Sequence, residues 1–149
     1  VLENIERYSA ANNHYVFEIT ETIEMDQIPA VQNVFKEFAK NEFRFAIDDF
    51  GTGYSNYGYM RDRTFDIVKV DRSFVTDIDK LKDNYLMVSF IIKMAHEMGL
   101  HVCIEGVETK EELSCVKRLG ADYIQGYYYG KPVCLQDFEE QHLKRFVLG

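Results

Sequence analysis

HVCIEGVETKEELSCVKRLGADYIQ, residues 101–125, decides the fold class, because it contains one complete strand, helix and strand in succession. Two short apolar runs at 101–104 and 123–124 predict the strands. Between them, residues 110–119 have a helical pattern that ends directly before Gly120, the residue type that most often terminates helices. Two strands connected through a helix usually lie parallel in one sheet, so this stretch predicts an α/β protein.

The same succession of strand, loop and helix recurs upstream of this unit. We predict five strands in total, at residues 15–20, 43–47, 65–70, 101–104 and 123–124, and two further helices, at residues 28–40 and 84–98. The strands are apolar on both sides, which is typical of a parallel sheet that helices cover. In the helix over 84–98 we expect one Met-rich side to face the core: Met87, Ile91, Met94, Ala95 and Met98.

The composition is that of one globular unit. The 149 residues are 46% hydrophobic, and with only two prolines the chain contains no run that would mark a linker.

A net charge of −8 disfavours binding to a nucleic-acid polymer or to an anionic membrane. Three cysteines without paired spacing favour a reducing, cytoplasmic location. No stretch is apolar for long enough to span a bilayer, so we expect no direct membrane contact by this segment, which leaves membrane attachment of a longer parent protein open.

Polar side chains stand at the C-terminal ends of the five predicted strands. Counted in steps of two along each strand, the positions on the inward side are Glu18, Asp48, Lys69, Asp71, Glu105 and Gln125. In a barrel of parallel strands such side chains meet at one mouth, where barrel enzymes assemble their active sites. Strand and helix repetition also fits a doubly wound sheet, but this convergence favours a barrel. A whole barrel needs roughly 250 residues, so about five units form part of one.

The side chains at this mouth suit a hard divalent cation. Glu18, Asp48, Asp49 and Glu105 offer carboxylate oxygens around Lys69, a set that favours Mg²⁺ or Mn²⁺ over zinc. Two such ions can activate water and stabilise an in-line displacement at phosphorus, which suggests metal-dependent phosphoester hydrolysis. An enolase-type lysine base beside Mg²⁺ and an aldolase-type Schiff-base lysine use the same residue types, so the residues alone leave the reaction open.

Five segments carry a resemblance to a known family. In order they are EITE (18–21), DDFGTGYS (48–55), KVD (69–71), EGVET (105–109) and QGY (125–127). Their order and spacing resemble the EAL family of cyclic di-GMP phosphodiesterases. The resemblance implies a modified TIM-like barrel, with residues 1–149 as the C-terminal part of a single EAL domain. It also implies hydrolysis of cyclic di-GMP to linear pGpG with Mg²⁺ or Mn²⁺, in preference to the enolase and aldolase reactions.

The same resemblance implies a role for each matched residue. Glu18 and Asp48 would bind a first metal ion, and Asp49 would help to bind a second. Glu105 would act as general base or orient the attacking water, and Lys69 would hold water or phosphate. The residues expected to contact the substrate or to support the ligands are Gln125, Glu21, Asp71 and Glu108, and Tyr127 to Tyr129 could stack on guanine.

The chain departs from the family pattern in one respect. The Glu-Ala-Leu segment, with its metal-binding glutamate, does not occur in it, and neither does the metal-binding asparagine of the following strand; both are expected upstream of Val1. We therefore expect a phosphodiesterase as the parent protein, and a fragment that is inactive alone and shields its open edge as a homodimer or domain-swapped oligomer. The alternative is a catalytically inactive module that binds cyclic di-GMP or a protein partner.

Overall fold

The computed structural model describes residues 15–20, 43–52 and 65–140, together with residues 33, 35, 37, 38 and 40, which are helical. Five strands form one sheet in the order β1 to β5: Val16–Thr20, Arg44–Phe50, Ile67–Val70, His101–Ile104 and Tyr123–Ile124. Every neighbouring pair is parallel. The helices are α1 (Lys82–Glu97) between β3 and β4, α2 (Lys110–Leu119) between β4 and β5, and a short α3 (Leu135–Phe138); a 3₁₀ turn, Arg72–Phe74, follows β3.

The α/β class and the five parallel strands are confirmed. The bounds of β4, β5 and α2 are those predicted, because each is delimited by a clear local signal such as Gly120, which ends α2 at a φ of 90°. β2 runs on to Phe50 instead of ending at residue 47, since its pairing with β3 continues past a shift in register. Of the helix predicted at 28–40, the part outside the five helical residues named above lies outside the described residues.

The core lies between the sheet and the helices. From the strands, Phe45, Ile47, Val68, Val70, Val102 and Ile104 are buried in one apolar cluster. From the helices, the residues that pack against them are Val88, Ile91, Ile92 and Ala95 of α1 and Leu113, Cys115 and Val116 of α2. These strand positions alternate with a second set that points away from the helices, so the sheet has an apolar convex face and a different, concave face.

The prediction that the Met-rich side of α1 faces the core is wrong in part. Ile91 and Ala95 are buried, but Met87 and Met98 are 44% and 43% exposed. The buried stripe follows the helical spacing from Val88 instead, and this places Met87 just off its edge. Because α1 is apolar almost all round, its sequence did not indicate which side faces the sheet.

The concave face is closed enough for non-neighbouring strands to touch across it. Arg44 Nη1 of β2 donates to the hydroxyl of Tyr123 in β5 over 3.4 Å, and the guanidinium lies 5.9 Å from the ring centroid. A cavity of about 200 Å³ lies on this face. The curvature is that of part of a barrel. Among the described residues, no helix combines the length and apolar character needed to cross a lipid bilayer.

Candidate active site

Three carboxylates surround one lysine on the concave face of the sheet. Lys69 Nζ lies 2.8 Å from Glu18 Oε2, 2.8 Å from Asp48 Oδ1 and 2.8 Å from Glu105 Oε1. The lysine side chain is only 6% exposed. β1, β2 and β3 supply Glu18, Asp48 and Lys69, and Glu105 directly follows β4. The predicted meeting of these four side chains at the C-terminal ends of the strands is therefore observed.

The register of the sheet explains why they meet. Lys69 pairs with Cys103, and Glu105 stands two residues further along on the same side of the sheet. Likewise Glu18 pairs with Ala46, two residues before Asp48. Since side chains alternate between faces, a step of two residues keeps each of them on the concave side.

The contacts determine the charge of the lysine and of its neighbours. Burial alone lowers the pKa of Lys69, but the hydrogen bonds to Asp48, Glu105 and Glu18 outweigh it and raise the pKa above its ordinary value. Burial raises the pKa of Glu105; Lys69 opposes this effect, and the charges of Asp48 and Glu18 reinforce it. Lys69 is thus a permanent cation, and Glu105 accepts a proton more readily than an exposed glutamate does.

Cys103 lies beside this cluster on the same face. Burial in the first place, and then the charge of Glu105, raises the pKa of its thiol to about 11. A thiol of this kind is protonated at neutral pH and is therefore a poor metal ligand or nucleophile.

A strand over residues 43–47, as predicted, would leave Asp49 beyond its end, but in the structure Asp49 lies within β2. The register of β2 against β3 shifts between Ile47 and Phe50, and Asp49 there has a left-handed φ of 53°. Such a bulge turns a side chain away from strict alternation. As a result Asp49, although adjacent to Asp48, brings an oxygen to within 4.8 Å of ligand atoms of both Asp48 and Glu105.

The carboxylates fit a divalent cation by two criteria. Oδ1 of Asp48 is buried beside Lys69 Nζ, which lies 2.8 Å away. Carboxylates this close together repel one another unless cations lie between them, and here three carboxylates share the single charge of Lys69. The group formed by Asp48, Asp49 and Glu105 also offers only oxygen donors, which suit Mg²⁺ or Mn²⁺. Glu18 is outside this group and reaches it only through Lys69.

The other residues predicted for the site lie in different surroundings, and only one of those that the structure describes lines the cavity beside the acidic cluster. Gln125 lines the 200 Å³ cavity together with Glu18 and Lys69. Asp71 accepts a hydrogen bond from the Ser73 amide over 2.9 Å and caps the 3₁₀ turn, which is a structural task. Glu108 is exposed, and Glu21 lies outside the described residues.

A second cavity, of about 850 Å³, shares Cys103, Tyr123 and Gln125 with the first. Tyr127 and Tyr129 line it, and so does Lys131, whose Nζ lies 5.4 Å from the centroid of the Tyr127 ring. Tyr127 to Tyr129 were expected from the sequence to stack on guanine, whereas no sequence signal pointed to Lys131. An aromatic cavity next to an acidic cluster could hold a planar ring beside a reacting group.

Glu112 was also missed, although Thr109 and Glu112 have the spacing of a capping box. Its buried carboxylate accepts hydrogen bonds from the amides of Asp77, Glu108 and Thr109. The loop after β4, which begins with Glu105, is thereby tied to the segment after β3.

Comparison with known proteins gives a consistent result. The family model described as EAL domain matches residues 1–132. Cyclic di-GMP phosphodiesterase PdeB of Shewanella oneidensis is 35% identical over 131 residues, which are 88% of this chain and 15% of the relative. The solved EAL enzyme Bd1971, in its cAMP and cyclic di-GMP bound form, aligns at a TM-score of 0.84 and 35% identity, covering 93% of this chain and 37% of that one.

A further similar structure contains a metal. Klebsiella pneumoniae BlrP1, solved in complex with manganese and cyclic di-GMP, aligns at a TM-score of 0.79 and 28% identity over 88% of this chain and 33% of that one. The chain thus spans well under half the length of each of these relatives. With the family model matching most of its length, the chain belongs to the EAL domain family.

Proposed function

We propose that this chain supplies part of the active site of a cyclic di-GMP phosphodiesterase that uses Mg²⁺ or Mn²⁺ to form linear pGpG. The observation that carries the proposal is the meeting of Glu18, Asp48 and Glu105 at Lys69, with Asp49 within reach. An acidic site of this kind takes a phosphodiester only together with divalent cations, which offset the repulsion between carboxylates and phosphate.

In this proposal Glu18, Asp48 and Asp49 hold the divalent ions, and Glu105 stands within reach of Asp48 and Asp49. A bound ion supplies a water of lowered pKa and stabilises charge on the phosphoryl oxygens. Glu105 accepts the proton of the attacking water or orients that water, a task that fits a glutamate whose pKa is raised by burial. Lys69, a fixed cation, holds the water or a phosphate oxygen in place.

The second cavity would bind a base of the substrate. Tyr127 and Tyr129 are 53% and 55% exposed, and aromatic rings of this kind stack on nucleobases. Lys131, close to the Tyr127 ring, adds a positive charge to the lining of the same cavity. Because Gln125 and Cys103 line both cavities, a base in one and a phosphodiester at the other would be parts of one ligand.

The comparisons support the proposal. A relative at 35% identity is named as a cyclic di-GMP phosphodiesterase, and two similar structures were solved with cyclic di-GMP bound. A cytoplasmic location agrees with the three cysteines, which are all free thiols. A homodimer or domain-swapped oligomer stays a prediction.

The direct test is hydrolysis of cyclic di-GMP by the full-length protein with Mn²⁺, followed by chromatography of pGpG. We expect Glu105→Gln to lower the rate by about 10²- to 10⁴-fold, as expected for loss of a general base, while substrate binding is mostly retained. Glu111→Gln is the matched control, since Glu111 is exposed on the helix that follows the same loop. Turnover by Glu105→Gln at nearly the normal rate would contradict the role of Glu105.

A second candidate function is a module that binds cyclic di-GMP without turnover. The observation in its favour is that Lys69 already neutralises the centre of the acidic cluster, where a catalytic ion would have to compete. Binding of cyclic di-GMP in calorimetry without formation of pGpG in Mn²⁺ or Mg²⁺ would favour this function over the enzyme.

A further inference from the structure

Residues 49–52 form a turn, closed by the hydrogen bond from the Thr52 amide to the Asp49 carbonyl, and phenylalanine rings hold this turn on two sides. Phe50 is buried in the core beneath the turn. Phe74, from the 3₁₀ turn after β3, packs against the core and lies over Gly51. A Cβ added to Gly51 would stand 2.7 Å from Cε2 of Phe74 and 3.0 Å from its Cζ, so the ring and the glycine backbone are in direct contact.

The backbone of this turn has a conformation that needs external support. Asp49 has a φ of 53° and Gly51 a φ of 98°. A residue other than glycine in the left-handed region costs on the order of 1 kcal/mol, and such a residue persists only where its surroundings impose it. Inside the turn, Thr52 Oγ1 donates to the carbonyl of Asp49 over 2.9 Å. Outside it, the Phe74 ring packs on Gly51.

This conformation matters because it decides where the Asp49 carboxylate lies. In a regular strand, Asp48 and Asp49 would point to opposite faces of the sheet. Here the shifted register and the left-handed residue bring both to the same group of oxygens, with Glu105. A ring that prevents the turn from relaxing into a regular strand therefore keeps that group together.

We propose that Phe74 is a positioning residue for divalent-ion binding, which acts by fixing the turn that presents Asp49 to Asp48 and Glu105. The inference rests on the proposed function, since it takes Asp49 to be a metal ligand. The segment after β3 thus connects Lys69 to the turn at the end of β2: it begins just beyond that lysine, and its Phe74 ring packs on the turn that presents Asp49.

The test measures Mn²⁺ affinity by the electron paramagnetic resonance signal of the free ion, on the full-length protein without substrate. We expect Phe74→Leu to weaken Mn²⁺ binding by about tenfold or more, the usual effect of losing a residue that orients a ligand. Phe38→Leu is the control, because Phe38 is a partly buried aromatic residue that packs against Phe17 and Phe43 and does not touch the turn. Both variants should unfold at lower temperature, but only Phe74→Leu should lose Mn²⁺ affinity.

A double-mutant cycle separates positioning from general destabilisation. If Phe74 acts through Asp49, then Phe74→Leu should weaken Mn²⁺ binding little further once Asp49→Asn is present. Additive losses, or equal affinities in Phe74→Leu and Phe38→Leu, would overturn the inference while leaving the proposed function intact. An unmodified protein that binds no Mn²⁺ would overturn the proposed function, and this inference with it.

Discussion

The backbone of Val107 lies directly against Gly126. A Cβ on Gly126 would overlap the carbonyl oxygen and the amide nitrogen of Val107. The same two loops exchange hydrogen bonds, from the Val107 amide to the Gln125 carbonyl over 3.2 Å and from the Tyr128 amide to the Val107 carbonyl over 3.0 Å. The loop that begins with Glu105 and the loop that begins with Gln125 are therefore interlocked through a position where only glycine fits.

This contact predicts a strong effect of Gly126→Ala. Because the overlap is with backbone atoms, which cannot move aside, we expect a loss of about 1–3 kcal/mol in the free energy of unfolding, measured with urea. Gly130→Ala is the control from the same segment, since a Cβ there would meet no atom within 4 Å. Equal stabilities of the two variants would show that the loops can separate without cost.

Glu112 predicts a second loss of stability. Its carboxylate accepts three backbone hydrogen bonds, at 3.1 Å from Asp77, 2.9 Å from Glu108 and 3.0 Å from Thr109. Removing it in Glu112→Ala leaves these amides unsatisfied, and we expect a loss on the order of 3 kcal/mol at pH 7. Glu111→Ala, at an exposed position of the same helical turn, should change stability little.

The effect of Glu112 should depend on pH. Burial on its own raises the pKa of Glu112, but the hydrogen bonds from the three amides outweigh it and lower the pKa. With the folded value below the unfolded value of about 4.3, the stabilisation is complete above that pH and is lost as the pH falls through the folded pKa. The difference between the unmodified protein and Glu112→Ala should therefore narrow below about pH 4. A difference that is constant from pH 7 to pH 3 would contradict this account.

Asp122, at the end of the sheet opposite the acidic cluster, allows a prediction about the local stability of β4. It precedes β5, and its Oδ2 accepts hydrogen bonds from the Val102 amide over 2.7 Å and from His96 over 2.8 Å. We expect Asp122→Ala to speed amide hydrogen exchange at Val102, measured by NMR. Asp66 provides the reciprocal control, because it holds the Phe45 amide of β2 in the same way over 2.9 Å. If Asp66→Ala accelerated hydrogen exchange at the Val102 amide as much as Asp122→Ala does, the effect of Asp122 on Val102 would not be local.

The residues at the mouth could be predicted from the sequence because their placement depends on a local rule. Alternation along a strand assigns Glu18, Asp48, Lys69 and Glu105 to one face, and parallel pairing then brings their strand ends together. The chemical roles of these residues do not follow from this rule. The three ion pairs of Lys69 fit the proposed reaction, but the assignment of metal ligands and of a base stays a prediction.

The features that could not be predicted depend on contacts between distant segments. Asp49 is displaced by a register shift against β3, and Gly51 is in contact with the Phe74 ring, which is 23 positions along the chain from it. The exposure of Met87 depends on how α1 is rotated against the sheet. Neither propensity nor periodicity contains this information, because several apolar faces of α1 are equally suitable.

Lys69 predicts the largest loss of stability at the acidic cluster. In Lys69→Met the apolar stem is kept and the charge removed, which leaves Glu18, Asp48 and Glu105 facing each other without their common cation. Breaking a buried ion pair on one side is strongly destabilising, so we expect a loss on the order of 3 kcal/mol in urea unfolding. Lys80→Met, which removes an exposed ion pair with Asp77, is the control and should have little effect.

The Lys69→Met variant also predicts a response to metal ions. If Asp48 and Asp49 bind a divalent ion beside Glu105, that ion can replace the charge that Lys69 supplied. Carboxylates this close together repel each other unless a cation lies between them. Ligands that bind only the folded state raise the unfolding temperature with concentration. Mn²⁺ should therefore raise the unfolding temperature of Lys69→Met by more than that of the unmodified protein, in which Lys69 competes for the same oxygens. The triple variant Lys69→Met, Asp48→Asn, Asp49→Asn should respond little, since it lacks the ligands. A similar rise in all three proteins would indicate that Mn²⁺ binds elsewhere, and no rise in Lys69→Met would contradict the metal site itself.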